Sequence, residues 1–172
     1  MRVWRETALL LLLSLAFMQC GYHFRGTGSS LPPHIQKVNV PMFKNQTTRY
    51  QLDLKLTQSV IDELVARGKV EITGNVESAD AVLIGEISSF VANPIAFSGE
   101  ASADRYNITV VAKIILRDLV SKRIIFSNPS FIYQEEYEVP EGTDFETVEL
   151  EAIDKVADKF ARSLVITILE GF

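Results

Sequence analysis

One cysteine, two histidines and one tryptophan stand among 172 residues, and each scarcity closes off a chemistry. A lone cysteine forms no internal disulfide. His23 and His34 are the only imidazoles, and no H-E-x-x-H or H-x-x-E-H spacing surrounds either. His23 reads as part of a glycine-rich tether and His34, next to Pro33, as a surface polar residue. No G-x-S-x-G and no phosphate-cradling glycine loop occurs. There is no run of basic residues, which argues against nucleic-acid binding. No apolar stretch reaches the roughly 20 residues of a membrane-spanning helix.

Carboxylates are plentiful but not arranged for catalysis. Glu135 and Glu136 are adjacent on a strand and point to opposite faces, so they cannot share a proton. Glu149 and Glu151 read as solvated helix residues. Asp80 lies among apolar residues without a neighbouring base or nucleophile. No acid–base or covalent constellation emerges, and the chain does not read as an enzyme.

What is present begins with ALLLLLSLAFMQCGYHF, residues 8–24. Arg2 and Arg5 precede it, and residues 7–18 carry no charge, which is the pattern of an export signal. The run ends on Cys20, the single cysteine. One chemistry explains that position: lipoprotein processing attaches a diacylglycerol to the sulfur, cleaves before the cysteine and acylates the freed amine. Phe17 stands at −3 and Gln19 at −1, the latter a departure from the small residue usual there. A rival cut follows Ser14-Leu15-Ala16 and would leave a secreted protein with a free thiol. Each buried methylene contributes about 0.8 kcal/mol, so a triacylated Cys20 would hold a membrane stably. Gly21 after the cysteine, rather than Asp, favours the outer membrane.

Residues 21–30, GYHFRGTGSS, then read as a flexible tether in which Tyr22 and Phe24 dock on the domain or sit in the membrane interface. Residues 1–19 hold Arg2, Arg5 and Glu6, so the mature chain keeps fifteen basic and twenty-one acidic residues, a charge of −6. The expected organisation is a signal peptide over 1–19, a lipidated tether over 20–33 and one domain over 34–172. That length suits a single core. The glycosylation-type triplets at Asn45 and Asn107 read as accidental.

Periodicity gives the element order. Val38, Val40 and Met42 alternate as a short strand, which Pro41 places at a strand end or edge. The polar stretch 44–48 is expected to cap a helix over about 49–67, with Gly68 as its stop. Leu52, Leu56, Val60 and Leu64 form one ridge of that helix, and Leu54, Ile61 and Val65 another. Together they cover more than the stripe a sheet alone requires, so the helix should also touch the second helix or a partner.

Strands follow at 69–73 and 81–91, with Asn93-Pro94 breaking or bulging the second. Residues 105–119 alternate without error, with Ile108, Val110, Ala112, Ile114 and Leu116 on one face and Thr109, Val111, Lys113, Ile115 and Arg117 on the other. A hairpin loop spans 118–123, and residues 124–139 return, with a bulge or outer strand expected at Asn128-Pro129. Phe145, Ile153, Val156, Phe160, Leu164 and Ile168 mark a last amphipathic helix, capped by Thr143 or Asp144. The fold is therefore α+β: two helices packed on one face of a mixed, mostly antiparallel sheet of four to five strands, in the order β-α-β-β-β-β-α. The other face is left free.

Three pieces carry a resemblance: Cys20-Gly21-Tyr22-His23-Phe24, the Val38-x-Val40-Pro41-x-Phe43-x-Asn45 stretch, and Ala79-Asp80-Ala81. In this order and spacing the chain resembles the lipopolysaccharide-assembly lipoproteins of the LptE family over essentially the whole mature sequence. The resemblance implies an outer-membrane lipoprotein on the periplasmic side. It would plug the β-barrel LptD, help it assemble and assist lipopolysaccharide delivery to the outer leaflet. It would have no cofactor beyond the acyl and diacylglycerol anchor on Cys20. No motif carries the family's ligand contacts onto this chain. The candidates for lipopolysaccharide or barrel contact, Lys113, Arg117, Lys122 and Arg123, rest on charge alone. The competing expectation is a free periplasm-facing chaperone or carrier with an apolar cavity between sheet and helices.

Overall fold

The computed structural model describes residues 31–97, 103–140, 143 and 145–171. The error-free alternation after residue 104 becomes β5 (Ala103–Asp118), paired antiparallel on both sides with β4 (Ala81–Phe97) and β6 (Ile124–Glu138). At about 3.3 Å per residue, β5 is about 50 Å long. Asn93-Pro94 does not end β4. The strand continues to Phe97 and absorbs the disturbance in register shifts after Pro94 and Ala96. On β6, the step from Asn128 to Phe131 spans only Ile114 to Ala112 on β5, a bulge that contains Pro129. Pro129 sits unpaired in that bulge of the edge strand, so its missing N–H removes no ladder bond.

Three short strands complete the sheet: β1 (Lys37–Asn39), β2 (Lys44–Asn45) and β3 (Glu71–Ile72), in the order β3-β1-β4-β5-β6 with β2 also on β4. All three pair in parallel, so the sheet is mixed and mostly antiparallel, with six strands rather than the four to five expected. β1 lies beside Ala81 and Val82, and β2 beside Glu86 and Ile87. The two thus follow one another along a single edge of β4, with Pro41 between them.

Helix α1 (Leu52–Arg67) ends as the sequence indicates: Gly68 takes φ 61° and its N–H donates to Val65 O. Its start differs from expectation. Stretch 44–48 does not cap it; Asn45 Oδ1 accepts from Thr47 N and Oγ1 while Asn45 Nδ2 donates to Arg49 O, so the polar groups satisfy each other. Gln51 precedes α1 in the left-handed region with no side-chain cap. Helix α2 (Phe145–Glu170) follows Thr143, whose hydroxyl donates to Pro140 O at 2.6 Å instead of capping the helix; Asp144 lies outside the described residues.

Both helices pack on one sheet face. Leu52, Leu56, Val60 and Leu64 of α1 meet Ile153, Val156, Phe160 and Leu164 of α2 in one core with Ile108, Val110, Ala112, Ile114 and Leu116 of β5. Polar links run along the paired helices: Arg49–Glu149 and Lys55–Asp154 at 2.6 Å, and Ser59 Oγ to Asp158 at 2.8 Å. The helices therefore run parallel. The apolar surplus of α1 is used in part by this pairing, while Leu54 and Val65 stay exposed.

Candidate functional site

Period-2 alternation fixes which residues leave the core, because directly opposite residues share a face. Across β4, β5 and β6 the outward rows are Ile84–Ile115–Ser127, then Ser89–Val111–Ile132, then Val91–Thr109–Gln134, then Asn93–Asn107–Glu136. Ile132 is 58% exposed, and Ile84 and Val91 are exposed as well, so no described element covers this face. Aliphatic residues share the half nearer the β5–β6 turn with Glu86, Lys113 and Arg117, and the other end is polar, where Arg105 pairs with Glu136 and Glu138.

Lys113 and Arg117 both project from this face of β5, exposed and about 13 Å apart along the strand. Glu86 stands directly opposite Lys113 but is engaged by Lys44 at 3.6 Å and by the Gln46 amide. Among the described residues neither Lys113 nor Arg117 is in an ion pair. Lys122 and Arg123 lie apart from these two, in the turn between β5 and β6. Lys122 occupies the left-handed region at φ 59°. The structure thus brings Lys113 and Arg117 onto one surface and leaves Lys122 and Arg123 at its end. Cys20 lies outside the described residues.

The sequence reading missed a polar network at that end. His34, expected as a plain surface residue, places Nε2 2.8 Å from Asp118 Oδ2. Asp118 is 2% exposed and accepts from Ser121 Oγ at 2.6 Å, Val120 N at 2.8 Å and Ser121 N at 2.9 Å. The hydroxyl and N–H of Ser121, more than His34, hold its carboxyl far below the ordinary range. Asp80 closes the neighbouring strand start. Its carboxylate accepts from Lys37 N and Gln36 N at 2.8 and 2.9 Å, and these donors lower its pKa. His34 adds a smaller electrostatic lowering, but the two backbone donors dominate, and they tie β1 to β4. Glu135 and Glu136 do diverge: Glu135 turns to Lys159 of α2, Glu136 to Arg105.

An acid-stability prediction follows. Both aspartates titrate below their ordinary value near 3.8. The stability they add is therefore complete above that value and is lost as pH falls through their lowered values. Urea midpoints measured from neutral pH downward should drop steeply below the ordinary carboxylate range, and Asp80→Asn with Asp118→Asn should flatten that drop. An equal slope in the variant would assign the acid transition to other groups.

Among the described residues no cluster of three histidine, cysteine or acidic side chains is placed to hold a metal ion. The recess described at the sheet end, about 420 Å³, is bordered by Pro32, His34, Asp118, Ser121, Arg123, Ile124 and Ile125. Between sheet and helices, Leu56, Val60, Ile87, Ile108, Ile114 and Phe160 are wholly inaccessible, so the described core offers no support for an apolar carrier cavity.

Comparison with known proteins gives the remaining context. No curated protein sequence is significantly similar to the chain. Among solved structures, a Xanthomonas campestris protein of the DUF330 family superposes with a TM-score of 0.54 at 14% identity, covering 80% of this chain and 88% of that one. A hypothetical protein from Chlamydia trachomatis superposes at 0.52 and 10% identity, covering 77% and 95%. The rare lipoprotein B of Shewanella oneidensis gives 0.43 at 13%, covering 77% and 96%. At these identities the first two likenesses concern the fold alone. The LptE lipopolysaccharide-assembly model matches residues 35–168, nearly the whole packed domain from Ile35 on β1's approach to Ile168 in α2, and by that match the chain belongs to the LptE lipopolysaccharide-assembly family.

Proposed function

We propose that this chain is an outer-membrane lipoprotein, anchored through Cys20 on the periplasmic side. On this reading it plugs the LptD barrel, helps it assemble and assists lipopolysaccharide delivery without catalysing a reaction. The observation that carries the reading is the uncovered outer sheet face, held rigid by two helices on its other side. Barrel lumens of this kind are polar. A face that presents Thr109, Asn107, Gln134 and Glu136 beside a smaller aliphatic area suits a partner of mixed polarity. Lys113 and Arg117, without ion-pair partners among the described residues, are the donors offered to lipopolysaccharide phosphates. The mature charge of −6 makes such a site local.

The test is crosslinking. Photoreactive residues at Thr109 and Ile132 should trap one large outer-membrane barrel, whereas the same residue at Leu150, exposed on α2's first turns, should trap it less. Purification of tagged protein from detergent with no such partner would remove the reading.

A further inference from the structure

We propose that the β5–β6 turn, residues 119–123, is a docking point for an anionic bilayer surface. The turn is built rather than loose. Asp118 accepts from Val120 N and from Ser121 N and Oγ, and its own N–H donates to Arg123 O at 2.8 Å. What this frame presents is mixed in character. Val120 is 67% and Ile124 53% exposed. Lys122 and Arg123 are exposed between them, and Arg117 is exposed just before. Among the described residues none of these three cations has an ion-pair partner.

That combination suits a bilayer more than a free anion. An anion site needs donors converging on a point, but these cations belong to a strand end and successive turn positions, interleaved with aliphatic groups. Aliphatic side chains entering the headgroup layer, ringed by basic ones at phosphate depth, are how peripheral segments hold anionic lipid. Of the carboxylates nearest the turn, Asp118 is buried and Asp80 half-buried, and both are occupied by N–H or hydroxyl donors. Glu71 and Glu77 also lie at this end, but beside β3, three strand spacings or about 14 Å across the sheet. Glu136 and Glu138 are at the opposite end of β6.

The chain path adds a second, independent observation. Residues 31–36 enter the domain at the same end, where His34 bonds Asp118 and Pro32 shares a recess with Arg123 and Ile124. The proposal rests here on the reading of residues 20–33 as a lipidated tether. A Gly- and Ser-rich chain of ten residues averages about 17 Å end to end, and the ten residues that follow Cys20 have that composition. The turn is then held close to the leaflet that carries the anchor, so even weak contact is favoured by effective concentration.

The experiment uses residues 20–172 carrying Cys20→Ser, which keep every core residue and have no acyl chain. Sedimentation with vesicles of phosphatidylcholine, and of phosphatidylcholine with phosphatidylglycerol, should show binding to the second kind only, released by salt. Lys122→Asn with Arg123→Gln should weaken that binding about 30-fold, roughly fivefold per cation. Asn tolerates the left-handed position, so thermal unfolding should be unchanged. Val120→Ser should weaken it by a smaller factor. Equal binding to neutral vesicles, no effect of the double substitution, or displacement by inorganic phosphate would each overturn the proposal. Mass analysis of the wild-type amino-terminal peptide reads acylation of Cys20 separately, so a failed tether and a failed docking turn give different results.

Discussion

Phe160→Ala should lower the unfolding free energy by about 3–5 kcal/mol, the range for removing a fully buried aromatic ring. Phe160 is wholly inaccessible on α2 and meets two rings of β6 edge-on, Phe131 at 5.3 Å and Tyr133 at 6.4 Å. Such pairs add about 0.5–1.5 kcal/mol beyond the area they bury. The cavity would be slow to collapse. Ala157 and Ala161 flank the ring on α2, so the helix already lies close to the sheet, and Lys159, the residue before Phe160, is tied to Glu135. Urea unfolding should show a lower midpoint with an unchanged denaturant slope. Leu150→Ala, at an exposed position of the same helix, should stay within about 0.5 kcal/mol. The consequence reaches the outer face, because Ile132 lies between Phe131 and Tyr133 on β6. Hydrogen exchange in β6 should therefore quicken more than in β4. A loss below about 1 kcal/mol would mean that α2 does not anchor the edge strand.

The sequence made the long elements legible because their periods are clean. Ile108 to Leu116 alternate without a break, and Gly68 follows a helical ridge, so β5 and the end of α1 needed no tertiary information. The same alternation placed Lys113 and Arg117 on the face away from the core. What it does not contain is partnership. Glu86 faces Lys113 in a β4–β5 register that changes by one residue between Ile87 and Ser89, and Glu86 is taken by β2, a strand of two residues with no periodic signal. His34 and Asp118 are 84 positions apart, and Asp80 reaches back to Gln36 and Lys37 across more than 40. Single side chains joined over such distances leave no local pattern. Lys122 at positive φ is hidden for a related reason: Gly or Asn would have announced the turn, and Lys does not.

Gly85→Ala should cost about 1–3 kcal/mol, although alanine usually favours a strand over glycine by about 0.5–1 kcal/mol. A Cβ at Gly85 would meet Cγ, Cδ1 and Cδ2 of Phe43 at 2.6–2.7 Å. The ring cannot yield easily. Phe43 is 1% exposed, and its N–H donates to Thr57 Oγ1 at 2.9 Å, a hydroxyl that itself bonds Asp53 O within α1. The Val-x-Val-Pro-x-Phe-x-Asn stretch thus serves as scaffold: Pro41 separates β1 from β2, and Phe43 lies flat against the one strand position without a side chain. A double-mutant cycle separates steric conflict from any intrinsic effect of alanine. In a Phe43→Ala background, itself expected to cost about 3–5 kcal/mol, Gly85→Ala should become neutral or stabilising, because the added methyl enters the space the ring has left. Additive losses in urea unfolding would show that the contact is not the cause. Because Ile84 and Glu86 flank Gly85 and point outward, the single variant should also shift the outer face beside Lys113 and, on the proposed plug reading, reduce crosslinking to a barrel, while the double variant restores part of it.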